Sequence, residues 1–177
     1  MEARNYILQL AHDAAASSII SAKLAASALD VTRGTVERML SDGRLTPLEV
    51  DGRNYVVAAG VVDLVRQGDK QQERAVQILE EVARNKQTIT YRPIMEQLGL
   101  DYTLSRDRNV MALILDRASI ASHGANKFLL SVLVRRKVGK QTGPGFFTSA
   151  KKLGYKWRSE KGFIEDQTKK VWEHYSA

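Results

Sequence analysis

Two helix N-caps stand one short helix apart near the start of this chain, and that spacing constrains the fold more than any other feature. Ser21 opens an Ala-rich segment, Ala22 to Leu29, with Leu24, Ala25, Ala28 and Leu29 on one helical face. Asp30 and Val31 break the period, and Thr32 caps a second segment, Arg33 to Leu40. Thr35 stands where a full capping box would place Glu. In the second segment Val36, Met39 and Leu40 take the inward face, while Arg33, Thr35, Glu37 and Arg38 take the outward one. Two short helices joined by so few residues make a helix-turn-helix, whose second helix presents long polar side chains.

The flanking residues extend this unit. Ser41-Asp42-Gly43-Arg44-Leu45 ends the second helix, with Gly43 just past its C-terminus. Leu48-Glu49-Val50 and Tyr55-Val56-Val57 flank Asp51-Gly52, a strong hairpin turn, and a hairpin placed there is a wing. Ala58 to Arg66 reads as a further helix, and Gln67-Gly68-Asp69-Lys70 as a polar linker that divides the chain into domains 1–68 and 71–177. Upstream, residues 1–17 read as a short amphipathic helix carrying Tyr6, Ile7, Leu10, Ala11 and Ala14, which packs on the domain that follows or else pairs two chains.

The stretch SAKLAASALDVTRGTVERMLSDGRLTPLEVDGRNYVV resembles the excisionase and MerR-type winged helix-turn-helix modules of bacteria and their phages. The residues that carry the resemblance are Ala26, Val31, Thr35-Val36-Glu37-Arg38, Gly43-Arg44-Leu45 and Gly52-Arg53, over about a fifth of the chain. Asp30 departs from the pattern, which prefers Gly in the turn. Asp tolerates left-handed backbone better than most residues, which preserves the turn. The resemblance implies a DNA-binding module.

The second half carries its own pattern. Gln71 to Asn85 is an amphipathic helix with Ala75, Val76, Ile78, Leu79, Val82 and Ala83 on its apolar face. Gln87 to Tyr91 is extended, and Thr90 caps a helix Arg92 to Leu98 with Pro93 in its first turn. Val110 to Ile120 is a buried helix, Phe128 to Val134 a mostly buried strand, and Arg135 to Gly145 a basic glycine-bearing loop. Helices follow at Thr148 to Leu153 and Glu165 to Tyr175. This order again suggests a winged helix with the basic loop as its wing. ITYRPIMEQLGL resembles the winged-helix part of alkyltransferase-like DNA-binding proteins, and LLSVLVRRKVGKQTGPGFFTSAKKLG resembles a segment of uncharacterised bacterial proteins. The alkyltransferase reactive centre is a cysteine and this chain has none, so no activity carries over, and this half is either a second DNA-contacting module or an oligomerisation domain.

Composition narrows the function classes. With 177 residues, 44% hydrophobic and 27% charged, the chain can bury a core in one domain or two small ones. Zero Cys excludes disulfides, thiolate zinc sites and cysteine nucleophiles; the three His, at 12, 123 and 174, stand too far apart for a His-built metal site. The absence of a long apolar stretch and of a signal-like N-terminus implies a soluble cytoplasmic protein. Residues 1–70 hold 8 Lys/Arg against 9 Asp/Glu, residues 71–177 hold 19 against 11, and residues 127–170 alone hold 12 against 3. A basic segment of this kind favours a polyanion.

Lys151, Lys152, Lys156 and Arg158 interleave with Tyr155 and Trp157, a pattern that can stack on bases, although Phe146, Phe147, Tyr155 and Trp157 read better as core. GKQTGPG lacks the spacing of a phosphate-binding loop. Asp101, Asp107, Asp116 and Glu96 are available to a nuclease, yet the strand Phe128 to Val134 carries no acid. Ser122 and His123 are adjacent, which seldom lets nucleophile and base face each other, and His123 reads as an exposed loop residue.

These readings predict a mainly α protein with short β-hairpins: an N-terminal winged helix-turn-helix plus a second winged-helix-like α+β domain. The expected partner is double-stranded DNA, without cofactor, metal, membrane or catalysis. Arg33 and Arg38 would read guanine edges or grip phosphate in the major groove, Thr32 and Thr35 would touch the DNA backbone, and Glu37 would accept from cytosine or simply repel wrong sequences. Arg44, Arg53 and Asn54 would hold phosphates or reach the minor groove from the wing. Arg106, Arg108 and the loop residues Arg135, Arg136, Lys137 and Lys140 would grip adjacent DNA. Two unlike readers suit a monomer on an asymmetric site, whereas a homodimer implies a palindrome. The expected role is a prokaryotic or phage transcriptional regulator, a repressor. An excisionase-like recombination directionality factor is the neighbouring alternative, a DNA-processing enzyme or its subunit the alternative of another class, and an interaction protein whose helix-turn-helix has lost DNA a third.

Overall fold

The computed structural model of the chain describes residues 3–10, 18–139 and 141–176. The readings of Ala11, Ala14 and Lys140 lie outside the described residues, as do the side chains of Tyr6 and Leu10. The fold is mainly helical with a small antiparallel sheet, and it divides into two compact units, Met1–Asp69 and Lys70–Ala177. Each unit has its own apolar core.

The first unit runs α1 (Ala3–Leu10), β1 (Ile19–Ile20), α2 (Ala22–Leu29), α3 (Arg33–Ser41), β2 (Pro47–Val50) and β3 (Arg53–Val57), then enters α4 (Ala58–Arg84). Both caps predicted in this unit are in place: the Ser21 hydroxyl accepts from the Leu24 N–H at 3.1 Å and the Thr32 hydroxyl from the Thr35 N–H at 3.2 Å. The third, Thr90, stands at the N-cap position before Tyr91–Gln97 but makes no side-chain cap bond. Asp30 adopts the left-handed conformation that the turn requires (φ 57°, ψ 46°), and its N–H closes on the Ala26 carbonyl. Asp51 and Gly52 both have positive φ, 51° and 70°, as a two-residue hairpin turn with right-handed strand twist demands. The resulting pairing sets Val50 opposite Arg53 and Leu48 opposite Tyr55.

Strand β1, which the sequence reading leaves unassigned, adds a third antiparallel strand beside β3, with Ile20 opposite Val56. These two side chains share the inner face and are buried with Ala25, Ala26, Val36, Leu45 and Val61. The outer residues of β2 are all exposed.

Helix α4 corrects the linker expectation. Gln67 to Lys70 is helical, and α4 is one continuous helix that contributes its first part to the first unit and the rest to the second. Its one glycine in that stretch, Gly68, costs a helix only about 1 kcal/mol. Two side chains that follow it are engaged: Asp69 pairs with Arg4, and Gln71 donates to the Leu98 carbonyl.

The second unit continues with β4 (Ile89–Thr90), α5 (Tyr91–Gln97), α6 (Ser105–Asn126), β5 (Val134–Arg135), α7 (Pro144–Lys152) and α8 (Glu160–Tyr175). Here the structure overturns the wing. Phe128 to Val134 is not a strand: Leu130–Leu133 form a 3₁₀ turn, and only Val134 and Arg135 pair, in parallel with β4. Side chains satisfy the backbone that a ladder would have served. Gln167 accepts from the Leu129 N–H at 2.9 Å, and the Ser122 hydroxyl accepts from the Leu130 N–H while donating to the Phe128 carbonyl. After the basic loop the chain enters α7 rather than a second strand, because Gly143 is extended and Pro144 takes the first helical position, where its missing N–H costs nothing. A run of apolar residues reads alike as strand or buried turn, which is why its periodicity could not separate them.

Phe146 is buried, and Phe147, Tyr155 and Trp157 pack against the same core, where Trp157 stacks on Phe163 at 4.7 Å. His123 is not an exposed loop residue. It lies half-buried on α6, with its Nδ1 2.9 Å from the Tyr155 hydroxyl.

Candidate functional site

The outward surface of α3 is built by the two faces of one nine-residue helix. Val36 and Met39 are buried in the first core, which turns Arg33, Glu37, Arg38 and Ser41 to solvent. The cap at Thr32 fixes where the helix begins, and its hydroxyl also lies 2.9 Å from that of Thr35, so the two threonines form one polar corner at the helix start. Arg33 is 74% exposed and its Nε donates to Glu37 one turn on, at 2.9 Å. Arg38 is exposed, with no ion pair to its guanidinium among the described residues.

The hairpin side is less uniformly available. Arg53 and Asn54 are exposed at the start of β3, next to the turn. Arg44 is held instead by its neighbour: Nε and Nη2 both donate to the Asp42 carboxylate, Nη2 at 2.7 Å, and this bond raises the Arg44 pKa above its ordinary value. Glu37 and Asp42 thus neutralise two of the cations that the sequence reading assigned to DNA.

In the second unit the predicted basic residues separate into different roles. Arg135 is the clear correction. It is 8% exposed, its Nη2 donates to the Thr168 hydroxyl at 2.7 Å, and its Nη1 has no partner among the described residues. Burial alone pushes its pKa down, and a guanidinium so enclosed has no surface to offer a phosphate. Its place in β5 is the reason: pairing with Thr90 fixes the backbone and turns the side chain onto α8.

Arg108 is exposed but committed, donating to the carbonyls of Tyr102 and Thr103 and to the Ser105 hydroxyl, which clamps the start of α6. Arg106 leans on Asp107 at 3.2 Å and remains 64% exposed. Arg136 and Lys137 are exposed on the loop that the Arg136 N–H closes onto the Gln141 carbonyl. Lys140 lies outside the described residues.

Arg108 and Arg136 meet again in one place. Together with Lys152 they line a cleft in the second unit whose other walls include Tyr91, Tyr102 and Phe146. Tyr91 and Tyr102 are functional candidates that the sequence reading missed, because the cleft draws on segments far apart in the chain. The nearest sequence hint was the glycine pair around Pro144, which lines it too. The Ser122 hydroxyl is buried and engaged by backbone on both sides, and no group of three or more His, Cys, Asp or Glu that could hold a metal ion occurs among the described residues. Among the same residues no helix is long and apolar enough to cross a membrane.

Comparison with protein-family models, curated proteins and solved structures finds no match to this chain.

Proposed function

We propose that the first unit is a winged helix-turn-helix that docks on double-stranded DNA, and that the protein is a sequence-specific transcriptional regulator, a repressor of prokaryotic or phage type. The observation that carries this reading is the outward face of α3: a capped helix whose apolar side is fully used by the core and whose Arg33, Glu37 and Arg38 face solvent. The element order supports it, since helix, strand, two helices and a hairpin paired to the first strand is the order of a winged helix. The family resemblance of Thr35-Val36-Glu37-Arg38 points the same way.

The Arg33–Glu37 pair does not oppose docking. An exposed pair of this spacing is worth about 0.3–0.5 kcal/mol, whereas a bidentate Arg–guanine contact discriminates by about 1–3 kcal/mol. Arg33 therefore exchanges partner on DNA at little cost, and Glu37, released, disfavours phosphate-only contacts by repulsion. Repression requires only occupancy of a site, which this surface supplies. In the second unit Arg106, Arg136 and Lys137 are the remaining phosphate contacts; Arg135 is not among them.

Binding-site selection on random duplexes, repeated at two salt concentrations, tests the proposal. The full chain should recover a defined motif, and Arg33→Ala and Arg38→Ala should each weaken binding to it by about 1–3 kcal/mol. Unchanged affinity of both variants refutes the reading. Footprint symmetry separates monomer from homodimer, and a DNA-bending assay separates a repressor from a recombination directionality factor.

A further inference from the structure

We propose that the cleft between α6 and α7 of the second unit binds a nucleoside phosphate. The cleft has a volume of 820 Å³, within the range of about 300–1,000 Å³ typical of small-molecule sites. Helix α6 contributes a stripe from Arg108 through Ala112 to Asp116, and α7 one from Gly145 through Ser149 to Lys152. Both stripes follow the helical repeat, so the small residues Ala112, Gly145 and Ser149 open the room, while Arg108, Asp116 and Lys152 carry charge.

The lining has two chemical halves. Arg108, Arg136 and Lys152 are three cations against the single acid Asp116, and that acid accepts a hydrogen bond from the Ser149 hydroxyl. No carboxylate pairs with Arg136 or Lys152 among the described residues. Arg108 is already oriented by its bonds to the Tyr102 and Thr103 carbonyls, so little ordering remains to be done when an anion arrives. The other half is apolar and aromatic: Met95, Phe146, Tyr91 and Tyr102. Guanidinium and ammonium groups bind phosphate, and phenol rings stack on a planar base. A bare phosphate would leave the aromatic half wet, and an uncharged aromatic would leave the cations unsatisfied; a nucleoside phosphate meets both. This site is independent of the DNA reading of α3.

The test is calorimetric titration of the full chain with the four 5′-nucleoside monophosphates, with the matching nucleosides and inorganic phosphate, and with a short single-stranded oligonucleotide with and without a 5′-phosphate. A monophosphate should bind about tenfold or more tighter than its nucleoside or phosphate alone. If the 5′-phosphorylated strand binds and free monophosphates do not, the ligand is a strand end, and the same chemistry holds. The Arg136→Ala, Lys152→Ala double variant should weaken binding by about tenfold or more, because both residues are exposed and their loss leaves the fold intact. Ala112→Phe, which fills the cleft without touching charge, should abolish it. Arg33→Ala with Arg38→Ala should leave it unchanged, whatever happens to duplex binding. Absence of saturable binding by any phosphorylated probe, equal binding of inorganic phosphate, or insensitivity to both the double and the Ala112 variants overturns the proposal.

Discussion

Gly143 sits at the entrance to α7 with φ −69° and ψ 159°, a conformation open to any residue, so Gly143→Ala tests side-chain space alone. A Cβ at this position would lie 2.5 Å from the Tyr91 hydroxyl oxygen and 3.4 Å from its Cζ. Restoring ordinary contact means moving that oxygen by about 1 Å in a region packed to near-crystalline density. Tyr91 is half-buried against the second core, and burial holds its phenol above the ordinary range while the Gly143 backbone pulls the other way. The cost of Gly143→Ala should be about 1–3 kcal/mol, the range for overpacking. Tyr91→Phe should cost about 1 kcal/mol for the lost hydrogen bond. With Phe at position 91 the nearest atom to the new Cβ is a ring carbon at ordinary contact, so the double variant should be more stable than the sum of the singles by about 1 kcal/mol. Both tryptophans, Trp157 and Trp172, belong to the second unit, so urea unfolding followed by their fluorescence reads this unit directly. Additivity within about 0.5 kcal/mol would refute the steric account.

Two further outcomes follow from the same unit. Lys127 ends α6 in the left-handed conformation, φ 61°, with its side chain exposed; Lys127→Gly should remove about 1 kcal/mol of backbone penalty and raise the Tm seen by tryptophan fluorescence, and a Tm that stays put or falls refutes this. Burial raises the pKa of Tyr91, Tyr155 and Tyr175 above 10.0. Unfolded tyrosines therefore ionise first as pH passes about 10, the folded state then holds more protons, and stability falls above that pH but not below it. Urea midpoints should be insensitive to tyrosine ionisation at neutral pH and drop beyond pH 10, less steeply for Tyr91→Phe; a midpoint unchanged at high pH sinks the argument.

The first unit could be read almost residue by residue because its determinants are local. A cap bonds its own helix three residues on, and a turn demands particular backbone at Asp30, Asp51 and Gly52 whatever surrounds it. The two-residue strand β1 escaped because a pair of isoleucines has no period; only its partner β3 makes it a strand. The second unit resisted for the same reason at larger scale. Whether Phe128 to Val134 is extended or coiled depends on Gln167 and Ser122, which lie outside that segment and reach its N–H groups only in the folded state. The continuity of α4 escapes the sequence reading because Gln67 to Lys70 is polar and holds a glycine, yet a single glycine costs a helix only about 1 kcal/mol.

Charge shows most sharply what a count can and cannot say. Between Lys127 and Lys170 the sequence places 12 basic residues, and an even spread would make that whole segment a phosphate-binding surface. Structure divides them. Lys161, Lys169 and Lys170 pair along α8 with Glu165, Glu173 and Asp166 at one-turn spacing, which supports the helix and cancels their field. Arg135 is buried, and Lys151 lies over the Trp157 ring at 5.9 Å. Lys127, Arg136, Lys137, Lys152, Lys156 and Arg158 are all exposed without a described acidic partner, but of these only Arg136 and Lys152 line one concavity with the clamped Arg108. A phosphorylated ligand in that concavity would feel a few cations at short range, whereas an extended polyanion would feel all the exposed cations of the segment. A salt titration separates the two sources, because charges spread over an open surface are screened within about 10 Å at 0.1 M salt, whereas cations converging on a partly enclosed ligand keep more of their attraction.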